Sequence, residues 1–325
     1  MTIPAKITLL FLFFLSACDS QNTEQAWISD DKKKSVTNQV NGPSITLADI
    51  DPDSPSNRML KLRPLADYIA QKLGWDNARV KIVIASSVDE ISAMVKDGKV
   101  DLFLDSSYPT VLVQKASGAT IILDSRINGQ RSYHTLLVAL ADGEITQLAD
   151  LENREIVLQE RYSTSGYLLP AALLSSRGFR LAEIPRHSAQ TPDGHIGYFY
   201  SGDDENTLLM IRKGIIAAGA LSSSDFEDLP TEVKQELRIL ATSKSVPRKM
   251  ATLRSGFDKQ LGEKLIAILL SINDVDRKKM LENEGWEWKF ATLDKESYSG
   301  IATINEMINE LNNSTNRTAR KQQRL

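Results

Sequence analysis

The chain has 325 residues, of which 42% are hydrophobic and 25% are charged. These values are ordinary for globular proteins, so a sizeable core is available, and the length between the polar ends suits two lobes of typical domain size. The formal net charge of −3 gives no electrostatic reason to expect a nucleic-acid partner.

The first residues carry the pattern of an export signal. The apolar run 7–15 follows Lys6; it is too short to span a bilayer but fits the core of a signal peptide. It ends in Leu15-Ser16-Ala17-Cys18, which resembles the lipobox of bacterial lipoproteins. The resemblance implies removal of residues 1–17 and a lipid anchor on Cys18, whereas a simple secretory signal is the alternative. Cys18 is the only cysteine, so the mature protein would have no disulfide.

Both ends of the mature chain are polar. Residues 18–42 include three consecutive lysines and show no apolar period, which indicates a flexible linker. Asp19 resembles the signal that retains lipoproteins at the inner membrane of enteric bacteria. Residues 311–325 are polar and basic, and we predict a disordered tail there.

Between these ends, strand-like and helix-like patterns alternate. Leu62, Leu65 and Ile69 share one face of a predicted helix that Gly74 ends. In the first part of the chain the predicted strands are 45–50, 80–85, 100–104, 119–123 and 132–139. The predicted helices are 58–73, 88–96 and a third that residues 105–109 open and that runs through Lys115. This alternation predicts an open α/β sheet with ligands at the carboxyl ends of its strands.

A second α/β unit follows, and the chain then returns to the first. The later predicted elements are strands 155–158, 215–221 and 245–253, and helices 168–176, 205–213, 257–271 and 275–284. We therefore predict two lobes joined by two hinge crossings, with residues 43–137 and 246–310 in lobe one and residues 138–245 in lobe two. Closure of such a clamshell removes a ligand from water and strengthens each polar contact to it.

Two predicted strand-to-helix junctions are rich in hydroxyl groups. They are Ser106-Ser107-Tyr108 and Ser163-Thr164-Ser165, the second followed by Gly166. A helix N-terminus has unpaired N–H groups and a partial positive charge, so hydroxyls beside it can help to bind an oxyanion. Ser and Thr are also the preferred N-cap residues, and plain capping is the alternative explanation.

Four motifs resemble the phosphate/phosphite/phosphonate-binding proteins of ABC transporters, over nearly the whole mature chain. They are Arg63-Pro64-Leu65-Ala66-Asp67-Tyr68 leading to Leu73-Gly74, Gly98-Lys99-Val100-Asp101-Leu102 with Tyr108-Pro109, Ser163-Thr164-Ser165-Gly166-Tyr167 with Pro170, and Ser245-Val246-Pro247-Arg248. The resemblance implies a type II periplasmic-binding-protein clamshell, each lobe an open, mainly parallel sheet flanked by helices. It also implies that Ser163, Thr164 and Ser165 hold the oxyanion from lobe two, and that Tyr108 and Tyr133 line the cleft from lobe one, with Ser106 and Ser107 nearby.

Two positions depart from that family's pattern. Members often carry a histidine where this chain has Asp204, and an acid that meets a ligand amine where it has Ala217. An ionised Asp204 beside a dianion would repel it by several kcal/mol in a dry cleft. Either Asp204 points to solvent, or the ligand offers a protonated or cationic group to it.

Other chemistries find less support. His187 and His195 have no acid or cysteine at metal-ligand spacing, and the pattern around His134 indicates a polar residue at the surface of a sheet. We therefore expect no metal and no cofactor. The acids Asp203, Asp204 and Glu205 could serve catalysis, but a solvated helix start explains them too, and we expect no enzyme. Trp286 and Trp288 fit packing at a lobe edge, with a stacking platform as the alternative.

The sequence therefore predicts a monomeric, lipid-anchored binding protein in the periplasm or at the cell surface. It would close over a small oxyanion and deliver it to an ABC permease in the inner membrane. The alternative is a lipoprotein of the same fold that reports a ligand to a membrane sensor protein.

Overall fold

The computed structural model describes residues 42–127, 129–281 and 289–322. The predicted signal peptide, Cys18, nearly all of the linker, Trp286 and Trp288 lie outside the described residues. None of the helices in the described ranges is both long and apolar enough to cross a bilayer.

The described residues form fourteen strands and ten α-helices. The strands are β1 (Ile45–Ile50), β2 (Val80–Ala85), β3 (Leu102–Ser106), β4 (Thr120–Arg126), β5 (Ser132–Tyr133), β6 (Thr135–Leu140), β7 (Glu155–Leu158), β8 (Leu181–Glu183), β9 (Ile196–Tyr200), β10 (Ala218–Ser222), β11 (Leu237–Thr242), β12 (Val246–Pro247), β13 (Lys249–Leu253) and β14 (Lys289–Thr292). The helices are α1 (Pro55–Leu73), α2 (Val88–Lys96), α3 (Ser107–Ser117), α4 (Leu169–Ser176), α5 (Asp204–Arg212), α6 (Ser223–Asp228), α7 (Thr231–Gln235), α8 (Lys259–Leu270), α9 (Asp274–Leu281) and α10 (Lys295–Gln322). A π-helical turn, Thr164–Leu168, leads directly into α4.

These strands form two six-stranded sheets, which confirms the predicted two-lobed α/β fold. The first sheet has the order β14-β4-β13-β3-β1-β2 and the second the order β11-β6-β10-β7-β9-β8. We call the first sheet with its helices lobe one, and the second lobe two. Both sheets are mixed. In lobe two, three of the five strand pairings are parallel, as the family resemblance implies. In lobe one, β13 pairs antiparallel with β3 and β4, and β14 with β4, so this sheet is not the mainly parallel one that was expected.

Parallel strands buried on both faces explain the apolar runs in the sequence. All six residues of β1 are buried. The apolar face of α1, which carries Leu62, Leu65 and Ile69, packs with Ile45 and Leu47 in the core of lobe one. Gly74 ends the helix in the left-handed conformation, at φ 66°, which a glycine adopts at little cost.

The two crossings lie side by side as the ribbon β5-β12, in which Val246 pairs with Tyr133 and Pro247 with Ser132. Helix α10 is attached to both crossings. At the first, Arg131 donates to the hydroxyl of Ser297 in α10 at 3.2 Å and to Asp124 of β4 at 2.6 Å. The crossings are therefore held together by pairing and by a shared helix.

That attachment includes a buried polar contact and a close backbone approach. Ser297 of α10 donates to the same Asp124 carboxylate that Arg131 binds. At the second crossing, a Cβ placed on Gly300 would lie 2.2 Å from Cδ of Pro247, so only glycine lets α10 approach the ribbon this closely.

The structure corrects two further sequence-based expectations. The predicted strand 132–139 is divided at His134, because Tyr133 pairs with the other crossing while Thr135 already pairs within the second sheet. The predicted disordered tail is helical as far as Gln322. No Gly or Pro stops α10 after its apolar period ends at Leu311, so the polar residues simply continue the helix.

Candidate functional site

A cavity of about 570 Å³ lies between the two lobes, a size typical of small-molecule sites. Lobe one contributes the loop after β1, Ser86, Ser87 and the end of β3, and lobe two contributes the segment after β7, the end of β9 and the end of β10. Tyr133 and Arg248 line it from the crossings, and Lys249 lines it from the start of β13. The cavity thus lies at the carboxyl ends of parallel strands, where open α/β folds bind their ligands.

The predicted site residues divide into two groups. Those that line the cavity are Ser106, Tyr133, Ser163, Ser165 and Asp204. The others, Ser107, Tyr108 and Thr164, are not part of its lining, although they lie in elements that border it. A role in ligand binding stays a prediction for all eight.

Ser163 is the N-cap of the helical segment that continues into α4. Its hydroxyl accepts from the backbone N–H of Gly166 at 2.9 Å and donates its proton to Oε1 of Gln159 at 2.7 Å. Gly166 is required here, because a Cβ at this position would lie 2.3 Å from Cβ of Gln159. In this arrangement Ser163 acts as a cap, and its proton is already committed to a neighbour.

Thr164 joins the two lobes instead of facing the cavity. Its side chain is almost fully buried, and its oxygen accepts from the backbone N–H of Tyr108 at 2.9 Å. The phenol of Tyr133 lies beside the hydroxyls of Thr164 and Ser165, and burial raises the pKa of Tyr133 to about 12. Of the three consecutive hydroxyls, Ser165 is therefore the one that lines the cavity without serving as the cap.

Asp204 begins α5 and lines the cavity, so it does not simply point to solvent. Its Oδ2 accepts from Nε2 of Gln159 at 3.0 Å, while its Oδ1 is enclosed and has no hydrogen-bond partner within the described residues. Burial, followed by the charges of Asp225 and Glu160, raises the pKa of Asp204 to about 7. A carboxyl in this position binds a proton, or a donor group, more readily than an exposed one.

Two further carboxyls near the cavity are perturbed in the same way. Burial and then the charge of Asp105 raise the pKa of Asp49 to about 7. Burial and then the charge of Asp51 raise the pKa of Glu160 to about 7. The walls therefore carry more acid than the family resemblance suggests, which the sequence could not reveal because these residues are far apart in the chain.

Most basic groups of the cavity wall are matched by these and other acids. Arg58 lies 3.6 Å from Asp49 and 3.3 Å from Asp51. Lys249 lies 3.8 Å from Asp105. Both lobe-one cations of the wall are therefore paired with carboxylates.

On lobe two, Arg161 also forms an ion pair with a carboxylate. It binds Glu183 at 2.6 Å and lies over the ring of Tyr200 at 5.2 Å. Its charge is therefore partly neutralised by the carboxylate of Glu183 in β8.

Arg248 is different, and sequence reasoning missed it as a site residue. It donates to the hydroxyl of Ser224 and lies over the ring of Tyr133, with 5.4 Å to the ring centroid. No carboxylate in the described ranges lies within ion-pair distance of it. The available signal was a basic residue directly after the predicted return crossing.

A cluster of tyrosines lies next to the cavity in lobe two. The ring of Tyr167 is 5.9 Å from that of Tyr200, 6.1 Å from that of Tyr198 and 6.3 Å from that of Tyr108 in lobe one. These contacts continue the apolar packing between the lobes up to the cavity wall. Among the described residues, no group of three or more His, Cys, Asp or Glu side chains is arranged to hold a metal ion.

Comparison with known proteins agrees with this architecture. Residues 50–298 match a family model described as ABC transporter, phosphonate, periplasmic substrate-binding protein. XAC2383 from Xanthomonas citri, solved with chloride ion and with ATP, is 26% identical with a TM-score of 0.75 in both structures; the alignments cover 83% and 84% of this chain and 99% of that protein. PhnD1 from Prochlorococcus marinus, in complex with methylphosphonate, has the same fold at 15% identity and a TM-score of 0.61, covering 83% of this chain and 100% of that protein.

Proposed function

This chain belongs to the periplasmic substrate-binding proteins of phosphonate ABC transporters, and we propose that it closes over a small phosphorus oxyanion and delivers it to an ABC permease. Membership of this family makes it a substrate-binding component of transport and not an enzyme. The finer parts of the proposal are the chemical identity of the ligand, the lipid anchor and the delivery step.

One observation carries the proposal: helices of both lobes begin at the same cavity. Ser106, the N-cap of α3, lines it from lobe one. Ser163, the N-cap of the segment leading into α4, and Asp204, the first residue of α5, line it from lobe two. Helix N-termini attract anions through their dipoles and through those N–H groups that no cap satisfies, and several that meet at one cavity favour an oxyanion.

The chain's location follows from its first residues. We propose that Cys18 carries a lipid and that residues 18–42 tether the binding domain to the outer leaflet of the inner membrane, where a permease would receive the ligand. The lipobox-like sequence, the polar linker and Asp19 support this arrangement. Metabolic labelling with a palmitate analogue tests it: the label should be present on the wild-type chain and absent from Cys18→Ala.

The ligand is tested by a thermal-shift screen of the mature chain with Cys18→Ala. The panel contains phosphate, phosphite, methylphosphonate, 2-aminoethylphosphonate, ATP and sulfate; ATP and methylphosphonate are included because XAC2383 and PhnD1 were solved with them. A ligand that binds only the folded state at 100 times its Kd adds about 2.7 kcal/mol of stability. We expect a rise in Tm with at least one phosphorus oxyanion and none with sulfate. No rise with any phosphorus compound would contradict the proposal.

Delivery is tested in the cell. Deletion of the gene should abolish growth on the phosphorus source identified by the screen, and wild-type protein should restore it. Unchanged uptake after deletion would argue against transport, and would turn attention to a sensing role for the same ligand.

A further inference from the structure

Arg248 occupies a special place in the cavity wall. It follows β12 on the second crossing, and its backbone N–H donates to the carbonyl of Arg131 on the first crossing at 3.0 Å. Its guanidinium lies over the ring of Tyr133, also on the first crossing, and reaches Ser224 in lobe two. The residue is thus fixed at the hinge by backbone and side-chain contacts to the first crossing and by a side-chain contact to lobe two.

We propose that Arg248 is the cationic anchor of the bound oxyanion, a role that rests on the proposed function of this cavity. The other arginines and the lysine of the wall already face carboxylates: Arg58 faces Asp49 and Asp51, Lys249 faces Asp105, and Arg161 faces Glu183. Arg248 is the cavity-lining cation that makes no ion pair with a carboxylate in the described part of the chain. No carboxylate neutralises its charge by direct contact, although this charge also acts on Asp204 in the same cavity.

The chemistry of the guanidinium suits this role. A guanidinium has five N–H donors in a planar fork that matches two oxygens of a phosphonate at once. Ser224 takes a hydrogen bond from Nη1, which leaves further donors for the ligand. Contact with the ring of Tyr133 holds the plane of the fork without satisfying any of its N–H groups.

Its position also determines when it acts. A residue on the hinge moves less than either lobe when the lobes separate, so Arg248 can bind the oxyanion before the cleft closes. The helix starts of α3 and α5, which belong to different lobes, reach the ligand together only in the closed arrangement. Arg248 is therefore expected to supply the first charged contact of the ligand.

The test is isothermal titration of the mature chain with methylphosphonate and with inorganic phosphate at low and at physiological salt. Arg248→Gln should weaken binding by about 10- to 150-fold, since hydrogen bonds to charged groups are among the strong ones. Arg248→Lys keeps the charge but loses the planar fork, so we expect an intermediate loss. Binding to wild type should weaken more steeply with added NaCl than binding to Arg248→Gln.

Two other arginines serve for comparison. Arg161→Gln removes a cavity charge that is already paired with Glu183, and should cost several-fold less affinity than Arg248→Gln. Arg212→Gln removes a surface arginine paired with Glu236 and should leave affinity unchanged. Equal losses in Arg161→Gln and Arg248→Gln would show that only the summed charge matters, and would overturn the anchor.

The outcomes separate this inference from the function on which it rests. If wild type binds neither probe, the proposed function fails and the anchor with it. If wild type binds a probe and Arg248→Gln binds it within 3-fold of the same affinity, the role of Arg248 as anchor is wrong while the proposed function stands. Circular dichroism and Tm establish that each variant is folded. If Arg248→Gln does not fold, the affinity of Arg248→Lys is the deciding measurement. Wild-type affinity in Arg248→Lys would show that binding does not need the planar guanidinium, and would overturn the proposal.

Discussion

The backbone N–H of Tyr108 in lobe one donates to the hydroxyl oxygen of Thr164 in lobe two at 2.9 Å. The two residues belong to the helix starts that the sequence marks as hydroxyl-rich, but here they bind each other. The ring of Tyr108 also lies 6.3 Å from the ring of Tyr167 in lobe two. The helix start of α3 is thus partly satisfied by the opposite lobe, and this contact favours the closed arrangement.

Removal of the Thr164 oxygen should weaken this contact between the lobes. In Thr164→Val the N–H of Tyr108 loses its acceptor when the lobes close, and a lost hydrogen bond of this kind costs about 0.5–2 kcal/mol. We expect ligand affinity to fall by roughly 3- to 30-fold, with a larger radius of gyration in small-angle scattering of the ligand-free protein. Thr303→Val, at a half-buried position of α10 that does not line the cavity, is the matched control. Wild-type affinity in Thr164→Val would show that the hydrogen bond between Tyr108 and Thr164 does not contribute to closure of the lobes.

The neighbouring serines should separate stability from binding. Ser163→Ala removes an N-cap, which costs about 0.5–2 kcal/mol of folding free energy. Ser165→Ala leaves the cap intact and removes a hydroxyl from the cavity wall, so it should lower affinity by about 1–3 kcal/mol with little change in Tm. Urea unfolding and titration calorimetry measure the two quantities on each variant. The reverse pattern, with the larger loss of affinity in Ser163→Ala, would mean that the cap releases its proton to the ligand.

The raised pKa of Asp204 predicts how the free energy of unfolding depends on pH. Its folded pKa of about 7 lies above its unfolded value, so the folded state prefers the protonated carboxyl. The folded state therefore loses stability as the pH rises from the unfolded pKa through about 7. Asp204→Asn removes this penalty and should raise stability at pH 8 by roughly 1–4 kcal/mol, but not at pH 4.

A neighbouring acid provides the control for this measurement. Asp203 is the N-cap of α5 and accepts from Asn206 at 2.6 Å, and asparagine caps helices as well as aspartate does. Thermal unfolding of Asp203→Asn and Asp204→Asn from pH 4 to pH 8 should show a pH-dependent gain only in the second. An equal effect of Asp204→Asn at both ends of the range would contradict the proposed titration.

The close approach of Gly300 to Pro247 gives a prediction about the hinge. In Gly300→Ala the new methyl group meets the proline ring, and overpacking of this kind costs about 1–3 kcal/mol. In Gly262→Ala on α8 the nearest atom is the end of the flexible Leu253 side chain at 3.3 Å. That variant should be unchanged or gain about 0.5–1 kcal/mol from helix propensity. Similar Tm values for the two variants would show that α10 can move away from the crossing without cost.

The fold was predictable because its signals are local. The apolar run of β1 and the apolar face of α1, which carries Leu62 and Leu65, can each be recognised within a short stretch of sequence. The two hydroxyl-rich junctions were also recognised, since three hydroxyls before Gly166 stand out in a sequence. What each hydroxyl does could not be predicted.

The direction of these side chains depends on contacts between distant segments. Thr164 meets Tyr108 only because α3 and the π-helical turn start on opposite sides of one cleft. Arg248 was missed for a similar reason: its partners, Tyr133 and Ser224, are brought to it by the two crossings. Long-range pairing of this kind leaves no periodic pattern in the sequence.

The path of the chain through the first sheet also dictates an order of assembly. β13 lies between β3 and β4, yet more than a hundred residues, including all of lobe two, separate it from them in sequence. A nascent chain that has emerged only as far as β4 would have an open gap in the middle of its sheet. Lobe two, whose strands are contiguous from β6 to β11, has no such gap and can fold as soon as it is made. We therefore expect the second lobe to fold first during synthesis, and the N-terminal strands to wait for the last third of the chain.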